Sequence, residues 1–209
     1  MQKAEVVLVC FALEEEARPF RRRARSEVSV LVTGIGKKNA IRSVRDCLQA
    51  HAPRRVFTCG FAGGLNPELE TGDVVFVTPD KELASHLTSA GALSASLFCA
   101  DRIATTAGEK AGLRQQTGAD AVDMESQAIH DLCGERGIPC CTVRAISDAA
   151  WEDLPLDFNQ LANADLSLNY GKLAWAIMRS PGKIPALRRL QRHTNFAAAQ
   201  LARVLEKVV

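Results

Sequence analysis

Short aliphatic runs alternate with longer amphipathic stretches along the chain. The runs Val6–Cys10, Val28–Val32, Val56–Cys59, Val74–Val77, Ser96–Cys99, Ala121–Val122 and Cys140–Ile146 are β-branched or aliphatic and mostly lack alternating polar positions. That is the pattern of strands covered on both faces. Helical periodicity falls between them, over Glu15–Arg25, Asn39–Ala50, Thr106–Gln116, Glu125–Arg136, Leu161–Met178 and Ile184–Lys207. Strands and helices alternating at these lengths predict an α/β fold: one three-layer αβα domain over residues 1–209 with a mostly parallel, mixed sheet. The glycine-rich stretch Gly60–Pro67 predicts a loop, and Pro181-Gly182 separates the last two helices. No internal repeat or domain linker interrupts the pattern.

Composition changes this picture little. Of the 209 residues, 47% are hydrophobic and 24% charged, which excludes a long disordered chain. Aromatics are only 5%, so the core is aliphatic. A net charge of +2 gives no global case for a nucleic-acid partner. The charge is uneven, however. Residues 179–209 carry seven basic side chains against the single acid Glu206. This basic C-terminal helix is either a solvated face or a peripheral contact with an anionic membrane surface. The seven cysteines form no Cys-x-x-Cys pair and sit mostly in apolar runs, as reduced core residues of a cytoplasmic protein do. Neither they nor the four histidines show metal-ligand spacing, so no metal is expected. No secretory signal is visible, and the uncharged stretch 83–100 is too broken by Ser, Thr and His to span a membrane.

Open parallel sheets bind ligands at the carboxyl ends of their strands. Three acids occupy such positions. Glu16 follows the first strand on the inward stripe of its helix, where the alternative is an acid that merely complements the helix dipole. Glu125 heads the stripe Ala128, Ile129, Leu132 and Cys133, a costly place for a carboxylate unless something pairs with it. A structural salt bridge is the competing reading. Asp148 stands where the strand ending at Ile146 emerges, as a site residue or as a helix cap. Arg144 lies inside that apolar strand and calls for an anionic partner. Gly34-Ile35-Gly36 is half of a dinucleotide fingerprint and marks a tight strand-to-helix turn with N–H groups facing the crevice.

These segments, in this order, resemble the purine nucleoside phosphorylase and nucleosidase superfamily. Ala12-Leu13-Glu14-Glu15-Glu16 is similar to the acidic motif of methylthioadenosine/S-adenosylhomocysteine nucleosidases. Thr33-Gly34-Ile35-Gly36-Lys37 and Gly60-Phe61-Ala62-Gly63-Gly64 resemble its two glycine turns. Val122-Asp123-Met124-Glu125-Ser126 resembles the ribose-binding motif, and Val143-Arg144-Ala145-Ile146-Ser147-Asp148 the motif that ends in the catalytic acid. The tail from Asp153 to Leu187 looks closest to the hopanoid-associated phosphorylase branch, which acts on adenosylhopane.

The resemblance implies cleavage of a purine N-glycosidic bond by a homodimer without a cofactor, phosphate being a possible co-substrate. Asp148 would protonate the departing base, burial supplying the raised pKa this needs. Glu125 would grip the ribose hydroxyls and Glu16 would orient the nucleophile. Asp123, Met124, Phe61, Ala62, Gly63, Ile103 and Arg144 would line the nucleoside, and Thr33, Gly34 and Lys37 would hold water or phosphate. Which of the two attacks stays open in the sequence. A methylthioadenosine nucleosidase, a nucleoside binder that has lost catalysis and a receiver-type signalling domain are the alternatives.

Overall fold

The computed structural model describes residues 6–161, 178 and 180–209. The expected helix Leu161–Met178 therefore lies outside the described residues except at its two ends. Eight strands form one sheet: β1 (Val7–Phe11), β2 (Val28–Val32), β3 (Arg55–Gly64), β4 (Val74–Val77), β5 (Leu93–Ser94), β6 (Leu97–Cys99), β7 (Ala121–Asp123) and β8 (Cys140–Asp148). The helices are α1 (Glu14–Arg21), α2 (Lys37–Ala50), α3 (Lys81–Ala90), α4 (Ala107–Thr117), α5 (Ser126–Gly134), α6 (Phe158–Leu161) and α7 (Ile184–Val208).

The main path runs β2-β1-β3-β8-β4-β5. β2, β1, β3 and β8 are mutually parallel, β4 runs antiparallel to β8, and the far end of β3 pairs antiparallel with β7. The sheet is thus mixed and mostly parallel, as expected. Alternation along β1 divides the core. Val7, Val9 and Phe11 face α1, α3 and α7 through Phe20, Leu87 and Leu201, while Leu8 and Cys10 face α2 and α5 through Val44 and Ile129. Helices on both faces complete three layers.

Several boundaries depart from expectation. The stretch Gly60–Pro67 is not a loop from its start, because β3 continues to Gly64 and shifts register between Ala62 and Gly63 as it leaves β8 for β7. β8 likewise extends two residues past Ile146, to Asp148. α3 was not expected at all. Its N-cap Asp80 accepts from the N–H groups of Glu82 and Leu83, and Gly91 ends it in the left-handed conformation (φ 101°). α1 stops at Arg21, four residues early, two after an internal proline that cannot extend the hydrogen-bond ladder. In α7 only the second half packs on the sheet. Leu201 and Leu205, two apolar positions of the possible membrane-facing helix, are fully buried core residues. Among the described residues no helix is long and apolar enough to cross a membrane.

Candidate active site

Glu16 and Asp148 stand at the carboxyl ends of the parallel strands β1 and β8, and Glu125 follows β7, which is antiparallel to β3, and reaches the turn after β2. Glu16 sits in the first turn of α1, directly after β1, and is 4% exposed. Its carboxylate accepts the N–H of Leu13 (2.9 Å) and, across the crevice, the N–H of Phe61 (2.8 Å). Burial is the largest influence on it and raises its pKa to about 7, against those two N–H groups and the nearby guanidinium of Arg144. The approach of β3 to this carboxylate requires glycine. Gly60 has φ 146°, and a Cβ there would lie 2.8 Å from Glu16 Oε1.

Glu125 occupies the N-cap position of α5 without capping it. Its Oε1 accepts the N–H of Gly36 at 2.6 Å, which ties the β7–α5 junction to the β2–α2 turn. Burial raises the pKa of Glu125, opposed chiefly by Arg144. Arg144 is the charge at the centre. It is 1% exposed and donates through Nε and Nη2 to Asp123 (2.8 and 2.5 Å) and through Nη2 to Thr58 Oγ1 (3.1 Å). Asp123 also accepts from the backbone and hydroxyl of Ser126. Both residues were expected on the substrate, but these polar atoms are committed to each other, Thr58 and Ser126. Arg144 acts on Glu16 and Glu125 through its charge, and Asp123 on Glu125.

Asp148 closes the third corner at the end of β8. Ser147 Oγ donates to its Oδ1 (2.5 Å), and the ammonium of Lys110, on α4, contacts its Oδ2 (2.5 Å). Lys110 is wholly buried and gives its other hydrogens to the carbonyls of Ala149 (2.7 Å) and Glu152 (2.9 Å). Sequence reading missed Lys110. The available signal was its position three residues before Leu113 on a helix stripe.

The remaining expected residues divide. Phe61 is the donor to Glu16; the Ala62 carbonyl accepts from Ser147 Oγ (3.3 Å); a Cβ on Gly63 would stand 3.5 Å from Asp148 Oδ2. These three follow one another along β3, from the contact with Glu16 to the approach to Asp148. Met124 is half-buried between Asp123 and Glu125. Ile103 is held from another side, its N–H and carbonyl both bonded (2.9 Å each) to the side-chain amide of Asn159, which sequence reading also missed. At the β2–α2 turn, Thr33 donates its hydroxyl to the carbonyls of Phe11 and Gly34, and Gly34 its N–H to Ala12. Lys37 pairs with Asp101 (2.7 Å), which raises the lysine's pKa. Among the described residues no group of three or more His, Cys, Asp or Glu is arranged to hold a metal ion.

Comparison with known proteins gives the family of this fold. The model of the phosphorylase superfamily matches residues 15–86 and 93–177. An aminodeoxyfutalosine nucleosidase of Campylobacter jejuni is 24% identical over 186 residues, covering 72% of this chain and 81% of its own. A 5′-methylthioadenosine/S-adenosylhomocysteine nucleosidase of Glaesserella parasuis is 28% identical over 169 residues, covering 65% and 74%. Among solved structures, the futalosine hydrolase of Helicobacter pylori superposes with a TM-score of 0.71 at 15% identity, over 98% of this chain and 97% of that one. The Neisseria meningitidis methylthioadenosine/S-adenosylhomocysteine nucleosidase bound to methylthio-immucillin-A gives 0.72 at 19%, over 98% of both chains. These relatives correct one expectation. They are nucleosidases and futalosine hydrolases, not hopanoid-associated phosphorylases, so the hopanoid branch and its lipidated substrate fall away.

Proposed function

The chain belongs to the phosphorylase superfamily, and from that premise we propose that it hydrolyses the N-glycosidic bond of an adenine-type nucleoside substituted at the ribose 5′ carbon. Breaking this bond places positive charge on the ribose ring and negative charge on the departing base. Asp148 delivers a proton to the base, at N7. Glu125 accepts hydrogen bonds from the ribose hydroxyls, and its charge favours the cationic sugar. Glu16, poised near neutrality, takes a proton from the attacking water.

The observation that carries hydrolysis over phosphorolysis is the state of the donors. Phosphate needs several N–H or O–H groups aimed at it. The Gly36 N–H is held by Glu125, the Gly34 N–H by Ala12, the Thr33 hydroxyl by two carbonyls and Lys37 by Asp101. The Glu16 carboxylate adds repulsion. A 5′ substituent is supported by the names of the relatives, since methylthioadenosine, S-adenosylhomocysteine and aminodeoxyfutalosine all carry one.

The test is chromatography of these three nucleosides and adenosine after incubation with the chain, with and without phosphate. Free base and free sugar in phosphate-free buffer are expected. A sugar 1-phosphate, formed only when phosphate is present, would overturn hydrolysis; no cleavage of any of the four would overturn the substrate class. Asp148→Asn should lose roughly 10²–10⁴ in turnover, the usual worth of a general acid. Wild-type turnover in that variant would remove Asp148 from the mechanism.

A further inference from the structure

Lys110 raises a difficulty for Asp148. A general acid must carry a proton, yet this carboxylate touches an ammonium that is 0% exposed. Burying a lysine without need is costly, and a hydrophobic residue would fill the space more cheaply.

The arrangement of the three ammonium hydrogens resolves this. Two are bonded to the carbonyls of Ala149 and Glu152, partners that do not change during the reaction. The third is left for Asp148 Oδ2, which lies 2.5 Å from the nitrogen as an ion-pair contact. If that one proton crosses to the carboxylate, the amine left behind keeps both carbonyl bonds and turns its lone pair to the new carboxylic acid. Every polar atom stays satisfied before and after transfer. The pair is net neutral in both states, and excluding water, as a bound nucleoside would, favours the state without separated charges.

We propose that Lys110 holds the proton that Asp148 delivers, so that the general acid of this site is the Lys110–Asp148 pair. This rests on the reading of Asp148 given under the proposed function. Lys110 touches no substrate atom; it is a positioning residue that also reloads the acid. As the C1′–N9 bond breaks, its electron pair stays on the base. Asp148 passes its proton to N7 and returns to carboxylate, and Lys110 remains a neutral amine. Water adds to C1′ and yields a proton to Glu16. Solvent carries a proton from Glu16 back to Lys110, and the sum is nucleoside plus water giving base plus sugar. The other charged groups nearby are Glu152, whose carboxylate accepts from Ala149 N–H and Thr71; His193 of α7, 3.7 Å from that carboxylate; and Asp153, which accepts from Ala107 N–H. On α4 itself, Glu109 faces Arg102 and Thr105.

The test compares Lys110→Met and Lys110→Arg with the wild type in kcat and KM across pH 6 to 8, with thermal melting as the check on folding. In Lys110→Met, Asp148 must hold its own proton, and a lone carboxyl above its pKa loses about tenfold of the acid form per pH unit. The wild-type to variant ratio of kcat should therefore climb about tenfold per unit, with KM little changed. Lys110→Arg keeps the cation, but a guanidinium does not release a proton; its kcat should fall by about 10²-fold or more. A kcat ratio for Lys110→Met that stays constant with pH would overturn the proposal and leave Lys110 a structural lysine. So would a folded Lys110→Arg variant with wild-type kcat. If Lys110→Met does not fold, the arginine variant decides alone. A proposal that fails while Asp148→Asn remains inactive leaves the proposed function standing; wild-type turnover in Asp148→Asn overturns both.

Discussion

A single carboxylate shows how little separates a structural from a functional acid in this fold. Glu125 heads a buried helix stripe and accepts the backbone N–H of Gly36. No lysine or arginine forms an ion pair with it among the described residues; the nearby guanidinium is committed to Asp123. A carboxylate placed so, with burial raising its pKa, has remaining lone pairs for sugar hydroxyls. Glu125→Gln keeps the shape and the acceptor for Gly36 but loses the charge and part of the accepting capacity. Cleavage of a ribonucleoside should fall by 10-fold or more, roughly the worth of one hydrogen bond to a charged group. Cleavage of the matching 2′-deoxyribonucleoside should fall less. Measuring kcat/KM for the pair checks this; equal losses on both would make Glu125 a stabilising element of the β2–α2 turn and nothing more.

At the scale of elements, α4 carries the least legible part of the site on one of its most legible helices. Thr106 and Glu109 form a capping box, the threonine hydroxyl accepting from Glu109 N–H (3.1 Å) and the glutamate from Thr106 N–H (3.3 Å). Asp153 takes the Ala107 N–H at 2.7 Å. The first turn is thereby pinned one residue before Lys110. Thr106→Ala should cost about 1 kcal/mol, read as a lower midpoint in urea unfolding with an unchanged slope; an unchanged midpoint would show that Asp153 alone holds this turn. Helical periodicity over Thr106–Gln116 gave α4 to within a residue at each end. The strands could be read because burial on both faces leaves an unbroken apolar run. Glu16, Glu125 and Asp148 stood out because each is polar where a strand ends or an apolar stripe begins. Lys110 did not stand out, because a lysine on an amphipathic helix ordinarily faces water. Here it turns inward to the carbonyls of Ala149 and Glu152 and the carboxylate of Asp148. α3 was hidden for a different reason: its stripe is short, only Leu83, Ala84, Leu87 and Ala90, and an uncharged stretch continuing to residue 100 blurs where it ends.

For the molecule as a whole, the same buried acid sets stability and activity against each other. Glu16 goes from an ordinary carboxyl pKa of 4.5 when unfolded to about 7 in the fold. A group whose folded pKa is raised binds its proton more tightly in the native state. Its contribution to stability is full below pH 4.5 and is lost as pH rises through 7. The loss is of order 3 kcal/mol across that window, because each pH unit between the two values is worth about 1.4 kcal/mol. Activity asks for the opposite state, because only the ionised carboxylate can take a proton from water, so kcat should rise with pH through about 7. Glu16→Gln removes both effects. Urea unfolding of wild type and variant in parallel at pH 5 and pH 8 isolates the contribution of Glu16, since every other titrating group is common to the two. The difference in unfolding free energy should move toward the variant by about 2 to 3 kcal/mol as pH rises, while the variant stays inactive at both values. Parallel stability profiles would mean that Glu16 titrates as an ordinary carboxyl, and the base of the proposed hydrolysis would then have to be sought elsewhere in the crevice.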